Sequence, residues 1–140
     1  MLYVGIDTGT HTGLAVWNSF EHKFKMVETM KIHQALSFVK TLWEDLQDND
    51  AGDMMVVFED ARQRKWYGSN SQMKMQGAGS IKRDAVIWED FLKDNGIPYR
   101  AVPPKKGLTK WSAEQFAKVT GWKGRTSEHS RDASLLVYGY

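Results

Sequence analysis

The hydrophobic pattern changes period several times along the chain, and each change predicts an element. Residues 2–7 read as a buried strand, with Leu2, Tyr3, Val4 and Ile6 ahead of Asp7. Gly9 and Gly13 frame a turn over 7–13, and a second apolar run, Leu14 to Trp17, follows at hairpin distance. Asn18-Ser19 turns the chain into a more alternating third segment over 23–30, with Phe24, Met26 and Thr29 marking its faces. Residues 32–47 have helical spacing through Ile32, Ala35, Leu36, Val39, Leu42, Trp43 and Leu46. Residues 54–58 are a continuous apolar run of strand length, which predicts a central buried parallel strand. Residues 61–79 are polar, basic and glycine-containing, and read as a loop. A helix over 80–95 carries Ile81, Ala85, Val86, Trp88, Phe91 and Leu92, and Asn95-Gly96 closes it. Residues 97–102 form a short strand stopped by Pro103-Pro104, and two more helices follow, over 112–119 and from 127 to the C-terminus.

The order is an antiparallel triplet followed by two crossovers. It predicts an α/β domain over 1–140, with one mixed five-stranded sheet: three antiparallel strands, then two parallel ones, with helices on both faces. With 140 residues, of which 41% are hydrophobic, the chain suits one core. No stretch approaches the ~20 apolar residues of a membrane span. Met1 to Gly5 has no basic segment and runs into a strand, so no signal peptide is expected. The absence of cysteine excludes disulfide scaffolds and thiolate zinc sites, and fits a cytoplasmic protein.

Charge adds an asymmetry that the net value of +2 hides. Residues 1–61 carry four Lys/Arg against ten Asp/Glu, and residues 62–140 carry fifteen against seven. The cations concentrate in 62–83, which has no acid, and in 95–127, whose one acid is Glu114. Such a split is a footprint of nucleic-acid binding; ordinary surface scatter is its bland counterpart.

The acids sit at the ends of predicted core elements. Asp7 follows the first strand and Glu59 follows the 54–58 strand. Side by side at the centre of a sheet, the two carboxylates would emerge together and repel, and a divalent cation would resolve the repulsion. His129 and Asp132 are three apart, on one face of the last predicted helix. Oxygen ligands with at most one imidazole favour Mg²⁺ or Mn²⁺ over zinc. Taken singly, Asp7 suits a turn, Glu59 a solvated strand end, and His129 and Asp132 a helix surface. The combination, in this order, is more specific.

These residues resemble a known family. Gly5-Ile6-Asp7 with Gly9, Thr12 and Gly13 is similar to the opening of RuvC-type Holliday junction resolvases. Val56-Val57-Phe58-Glu59 looks like their second acidic strand, and His129 to Ala133 like their C-terminal pair. The segment 74–79 and the basic stretch after the fifth strand match in place, so the resemblance spans essentially the whole chain. It implies a ribonuclease H-like fold, with Asp7, Glu59, His129 and Asp132 as catalytic and metal-binding residues. It further implies hydrolysis of a phosphodiester with two Mg²⁺ ions, which Mn²⁺ could replace, leaving a 5′-phosphate and a 3′-hydroxyl. Asp7 would bridge the ions, and His129 would be a ligand or a general base. The substrate implied is a four-way or otherwise branched DNA, cut by a homodimer built on the 80–95 helix. The small size would suit a phage or mobile element.

The DNA surface expected from composition is Arg62, Arg64, Lys65, Trp66 and Tyr67 just after Glu59, with Lys82, Lys105 and Lys106. Cations would neutralise phosphates and the rings would stack on exposed bases. Where the family carries a junction-wedging aromatic, this chain has Arg62, with Trp66-Tyr67 a few residues later. Lys110, Lys118, Lys123 and Arg125 are further candidates. Competing readings are a ribonuclease H acting on hybrids, a transposase-like core, a nuclease for structured RNA and a non-catalytic DNA-binding module. Asp7-Thr8-Gly9-Thr10 also suits the phosphate loop of actin-like and sugar-kinase ATP-binding proteins, but those need two lobes, which 140 residues cannot supply.

Overall fold

The computed structural model of the protein describes residues 1–63, 71–104 and 110–140, the side chains of 71–78 excepted. Its strands are β1 (Leu2–Asp7), β2 (His11–Asn18), β3 (Lys23–Lys31), β4 (Met54–Glu59) and β5 (Tyr99–Val102). Its helices are α1 (Ile32–Asp48), α2 (Ser71–Asp94), α3 (Ala113–Thr120) and α4 (Glu128–Val137), with a 3₁₀ turn at Ala61–Gln63. The sheet runs β3-β2-β1-β4-β5, antiparallel from β3 to β1 and parallel from β1 through β4 to β5. The α/β class and the mixed five-stranded sheet are therefore observed.

β1 and β4 lie at the centre with Ile6 opposite Phe58, so Asp7 and Glu59 end neighbouring strands at one level. Strand alternation sorts the side chains onto two faces. Val4, Ile6, Leu14, Val16, Val56 and Phe58 pack with Ala35 and Val39 of α1 and with Ala85, Trp88 and Leu92 of α2. Ala15, Trp17, Phe24, Val27 and Val57 pack on the other face with Phe116 of α3 and with Ala133 and Val137 of α4. Asp7 is two residues beyond Gly5, and Glu59 two beyond Val57, so both acids belong to the α4 face.

Gly5 and Gly13 determine how closely α4 approaches. A Cβ on Gly5 would overlap the carbonyl of Ala133, and one on Gly13 would overlap that of His129. The helix backbone thus rests directly on β1 and β2, one turn apart. Ser127 caps α4: its Oγ accepts from the Ser130 amide at 3.1 Å, and its own amide donates to Ser130 Oγ at 2.9 Å. Ser127 also pairs with Thr29 of β3, which ties the start of α4 to the sheet.

Several boundaries differ from the pattern. Gly13 lies inside β2, which begins at His11, so the turn after Asp7 is shorter than the glycines suggest. β5 starts at Tyr99; Ile97 is core, and the Pro98 carbonyl accepts from Val56. The largest correction concerns the predicted loop over 61–79. Ala61–Gln63 is a 3₁₀ turn, and α2 already begins at Ser71, well ahead of the expected start at residue 80.

Candidate functional site

Asp7 and His129 meet at the carboxyl end of β1. Asp7 Oδ2 lies 3.0 Å from His129 Nδ1, a contact between the first strand and the last helix. A hydrogen on Nδ1, donated to the carboxylate, leaves Nε2 as the basic nitrogen of the ring. Burial pushes the Asp7 carboxyl above its ordinary range, and the charge of Asp132 pushes the same way. The hydrogen bond from His129 opposes both effects without overcoming them.

Asp132 lies one turn along α4 from His129 and faces Lys110, whose Nζ is 3.5 Å from Asp132 Oδ2 and 2.6 Å from Glu128 Oε1. Arg131 holds the segment that carries Lys110. It donates to the Trp111 carbonyl at 2.9 Å and to the carbonyl and hydroxyl of Thr126 at 3.0 and 2.9 Å. An ammonium therefore stands beside Asp132, and it also lowers the Asp7 carboxyl. In the sequence Lys110 is one of several further cations of the second half, and Glu128 has no evident role. What pairs them is the packing of the 110–112 segment on α4, which no local pattern encodes.

Glu59 is half-buried at the end of β4, on the same sheet face as Asp7. The next residue, Asp60, is buried, with its side chain only 6% exposed. Arg62 closes on it through Nε at 2.8 Å and Nη2 at 2.9 Å, and reaches Glu89 of α2 at 2.9 Å. These bonds hold the Asp60 carboxyl below its ordinary range, the Arg62 guanidinium foremost among the causes. Arg62, expected on the DNA surface, is thus committed to an internal ion-pair network. Lys82 is half-buried on α2. Arg64, Lys65, Trp66, Tyr67, Lys105 and Lys106 lie outside the described residues.

The donor chemistry of Asp7, Glu59, His129 and Asp132 suits a hard divalent cation, and the raised Asp7 carboxyl is what a cation would relieve. Among the described residues, however, no group of three or more His, Asp or Glu side chains is gathered for metal binding. The arrangement brings Asp7 to His129 and Asp132 to Lys110, and leaves Glu59 on the adjoining strand. A cleft of about 610 Å³ opens elsewhere, lined by Leu2, Val16, Met26, Phe38, Leu42 and Leu46. It lies at the opposite end of β1 from Asp7. Among the described residues, no helix is long and apolar enough to cross a membrane.

No protein-family model matches this chain, and no curated protein matches it significantly.

Proposed function

We propose that this chain is a magnesium-dependent endonuclease of the ribonuclease H-like fold, selective for four-way or branched DNA. One observation carries the reading. Asp7 and Glu59 end adjacent central strands on one sheet face, and α4 covers that face and sets His129 3.0 Å from Asp7. The resemblance to RuvC-type resolvases supports the substrate class.

In this reading Asp7, Glu59 and Asp132 hold the cations. A bound Mg²⁺ ion supplies Lewis-acid chemistry, neutralising charge on the phosphodiester and acidifying an attacking water. His129 keeps Nδ1 on Asp7 and uses Nε2 to move a proton, within reach of solvent because its side chain is 52% exposed. Lys110, beside Asp132, adds positive charge where a phosphate would arrive. Lys82, and the cations and rings at 64–67 and 105–106, supply contacts to the nucleic-acid backbone and bases. A homodimer through α2 is part of the same reading; Ile81, Val86 and Ile87 are exposed apolar residues on that helix.

The test is a panel of labelled four-way, flap, hybrid and linear duplex substrates incubated with Mg²⁺. Symmetric nicks in the four-way junction are expected. Cleavage of only the RNA strand of the hybrid would assign a ribonuclease H activity instead, and no cleavage of any substrate would contradict the nuclease reading.

A further inference from the structure

The basic residue closest in sequence to the second acid is Arg62, and its guanidinium is paired with two carboxylates of the protein. It donates to both carboxylate oxygens of Asp60, and its Nη atoms reach both oxygens of Glu89, at 3.4 and 2.9 Å. Asp60 is fixed to the neighbouring strand as well, its amide donating to the Val102 carbonyl at 2.7 Å. Gln63 closes the other side, with Nε2 at 3.4 Å from Asp60 Oδ2 and 3.3 Å from the Ala101 carbonyl. Three elements therefore converge on Asp60: the end of β4, the end of β5 through the Val102 carbonyl, and the last third of α2 through Arg62 and Glu89. They converge one residue past Glu59, which with Val102 is the last pair of the β4–β5 ladder.

We infer that Arg62 is a positioning residue for Glu59 and not a contact to nucleic acid. This rests on the proposed metal-dependent nuclease activity, which requires the Glu59 carboxylate at a fixed place beside Asp7. A ligand must be held to within about 0.5 Å to act. Two anions share the Arg62 cation, so a passing phosphate would have to displace carboxylates already bound in good geometry. The brace transmits its hold through the backbone of Asp60, and Glu89 is its anchor on the helix.

Glu89 gives the decisive variant, because an anion cannot itself be a phosphate contact. The full chain would be compared with Arg62→Gln, Arg62→Lys, Glu89→Gln and the Arg62→Gln/Glu89→Gln pair. Binding to a four-way junction would be measured in Ca²⁺ over a salt series, and cleavage in Mg²⁺ at saturating DNA. Arg62→Gln and Glu89→Gln should each slow single-turnover cleavage by roughly tenfold or more and raise the Mg²⁺ needed for half-maximal rate. Junction affinity and its salt slope should stay within about twofold of the parent. The pair should be no slower than either single variant, since both break one brace, and Arg62→Lys should recover part of the rate. A phosphate contact predicts the opposite: Arg62→Gln would lower affinity and reduce the salt slope by about one, and Glu89→Gln would free Arg62 and tighten binding. Either result overturns the inference. If the parent cleaves nothing, the nuclease reading fails by itself. The positioning of Glu59 is then judged by Tb³⁺ luminescence titration without DNA. Weaker Tb³⁺ binding by Arg62→Gln and by Glu89→Gln supports it, and unchanged binding overturns it.

Discussion

A Cβ on Gly13 would overlap the carbonyl oxygen of His129, so the imidazole that meets Asp7 depends on a hydrogen atom at position 13. Gly13 pairs directly with Asp7 across the β1–β2 ladder. The same backbone pair thus places the acid on one strand and the seat for its histidine on the next. Gly13→Ala must lift the first turn of α4 or shift β2. It should cost about 1–3 kcal/mol, as overpacking of a close-packed site does. Thermal unfolding measures the cost. The His129 side-chain resonances should lose their Asp7-dependent shift in the same variant.

Asp7→Asn should stabilise the folded chain while removing activity. The folded protein holds the Asp7 carboxyl above its ordinary range, chiefly by burial, so its ionised form is disfavoured relative to the unfolded state. That penalty is present at neutral pH and vanishes as pH falls below the unfolded carboxylate value of about 4. In metal-free buffer the variant should melt above the parent at pH 7, and the two should converge in acid. Added Mg²⁺ should raise the parent's melting temperature and leave that of the variant nearly unchanged.

Arg62→Ala should expose the opposite sign. The Asp60 carboxyl is held low, first by Arg62, so the pairing contributes stability above the unfolded carboxylate value and loses it only as pH falls through the depressed folded one. Removal of the guanidinium leaves a carboxylate of 6% exposure without its ionic partner. A loss of roughly 2 kcal/mol is expected at neutral pH. The difference between parent and variant should hold from pH 7 down to about pH 4 and shrink only below it. Acid unfolding followed by circular dichroism reads both limits.

Lys110→Gln should tighten cation binding. Lys110 stands 3.5 Å from Asp132 and lowers the Asp7 carboxyl, so it opposes any second cation at these acids. Its neutral replacement should lower the half-saturating Tb³⁺ concentration severalfold, an electrostatic effect that added salt reduces. Stability should hardly change, because Lys110 and Glu128 are 63% and 62% exposed.

Much of this arrangement is legible in the sequence, for definite reasons. Leu2 to Ile6 and Met54 to Phe58 are largely buried on both faces of the sheet, so they appear as apolar runs, each followed by an acid. Ser127 ahead of the α4 pattern marks a helix start. The role of Gly13 is not legible, because the atom that requires glycine there belongs to a helix far along the chain. The first turns of α2 are hidden by Gly77 and Gly79, each costing about 1 kcal/mol in a helix. A helix anchored by Ala85, Trp88 and Leu92 extends through them more readily than it would nucleate there. Arg62 reads like its neighbours Arg64 and Lys65 in a basic run. Its distinction is Glu89, which the sequence places elsewhere and α2 brings alongside.

The central claim is that the acids at the ends of β1 and β4 and on α4 perform metal-dependent cleavage. It is tested most directly by single-turnover cleavage of a four-way DNA junction in Mg²⁺ by the parent, Asp7→Asn, Glu59→Gln and Asp132→Asn. Junction binding in Ca²⁺ would be measured alongside. Cleavage by the parent, with a loss of at least about 10²-fold in each variant at undiminished binding, is the predicted result. Parent and variants that cleave at the same rate, or a parent that binds the junction and never cuts it, would contradict it.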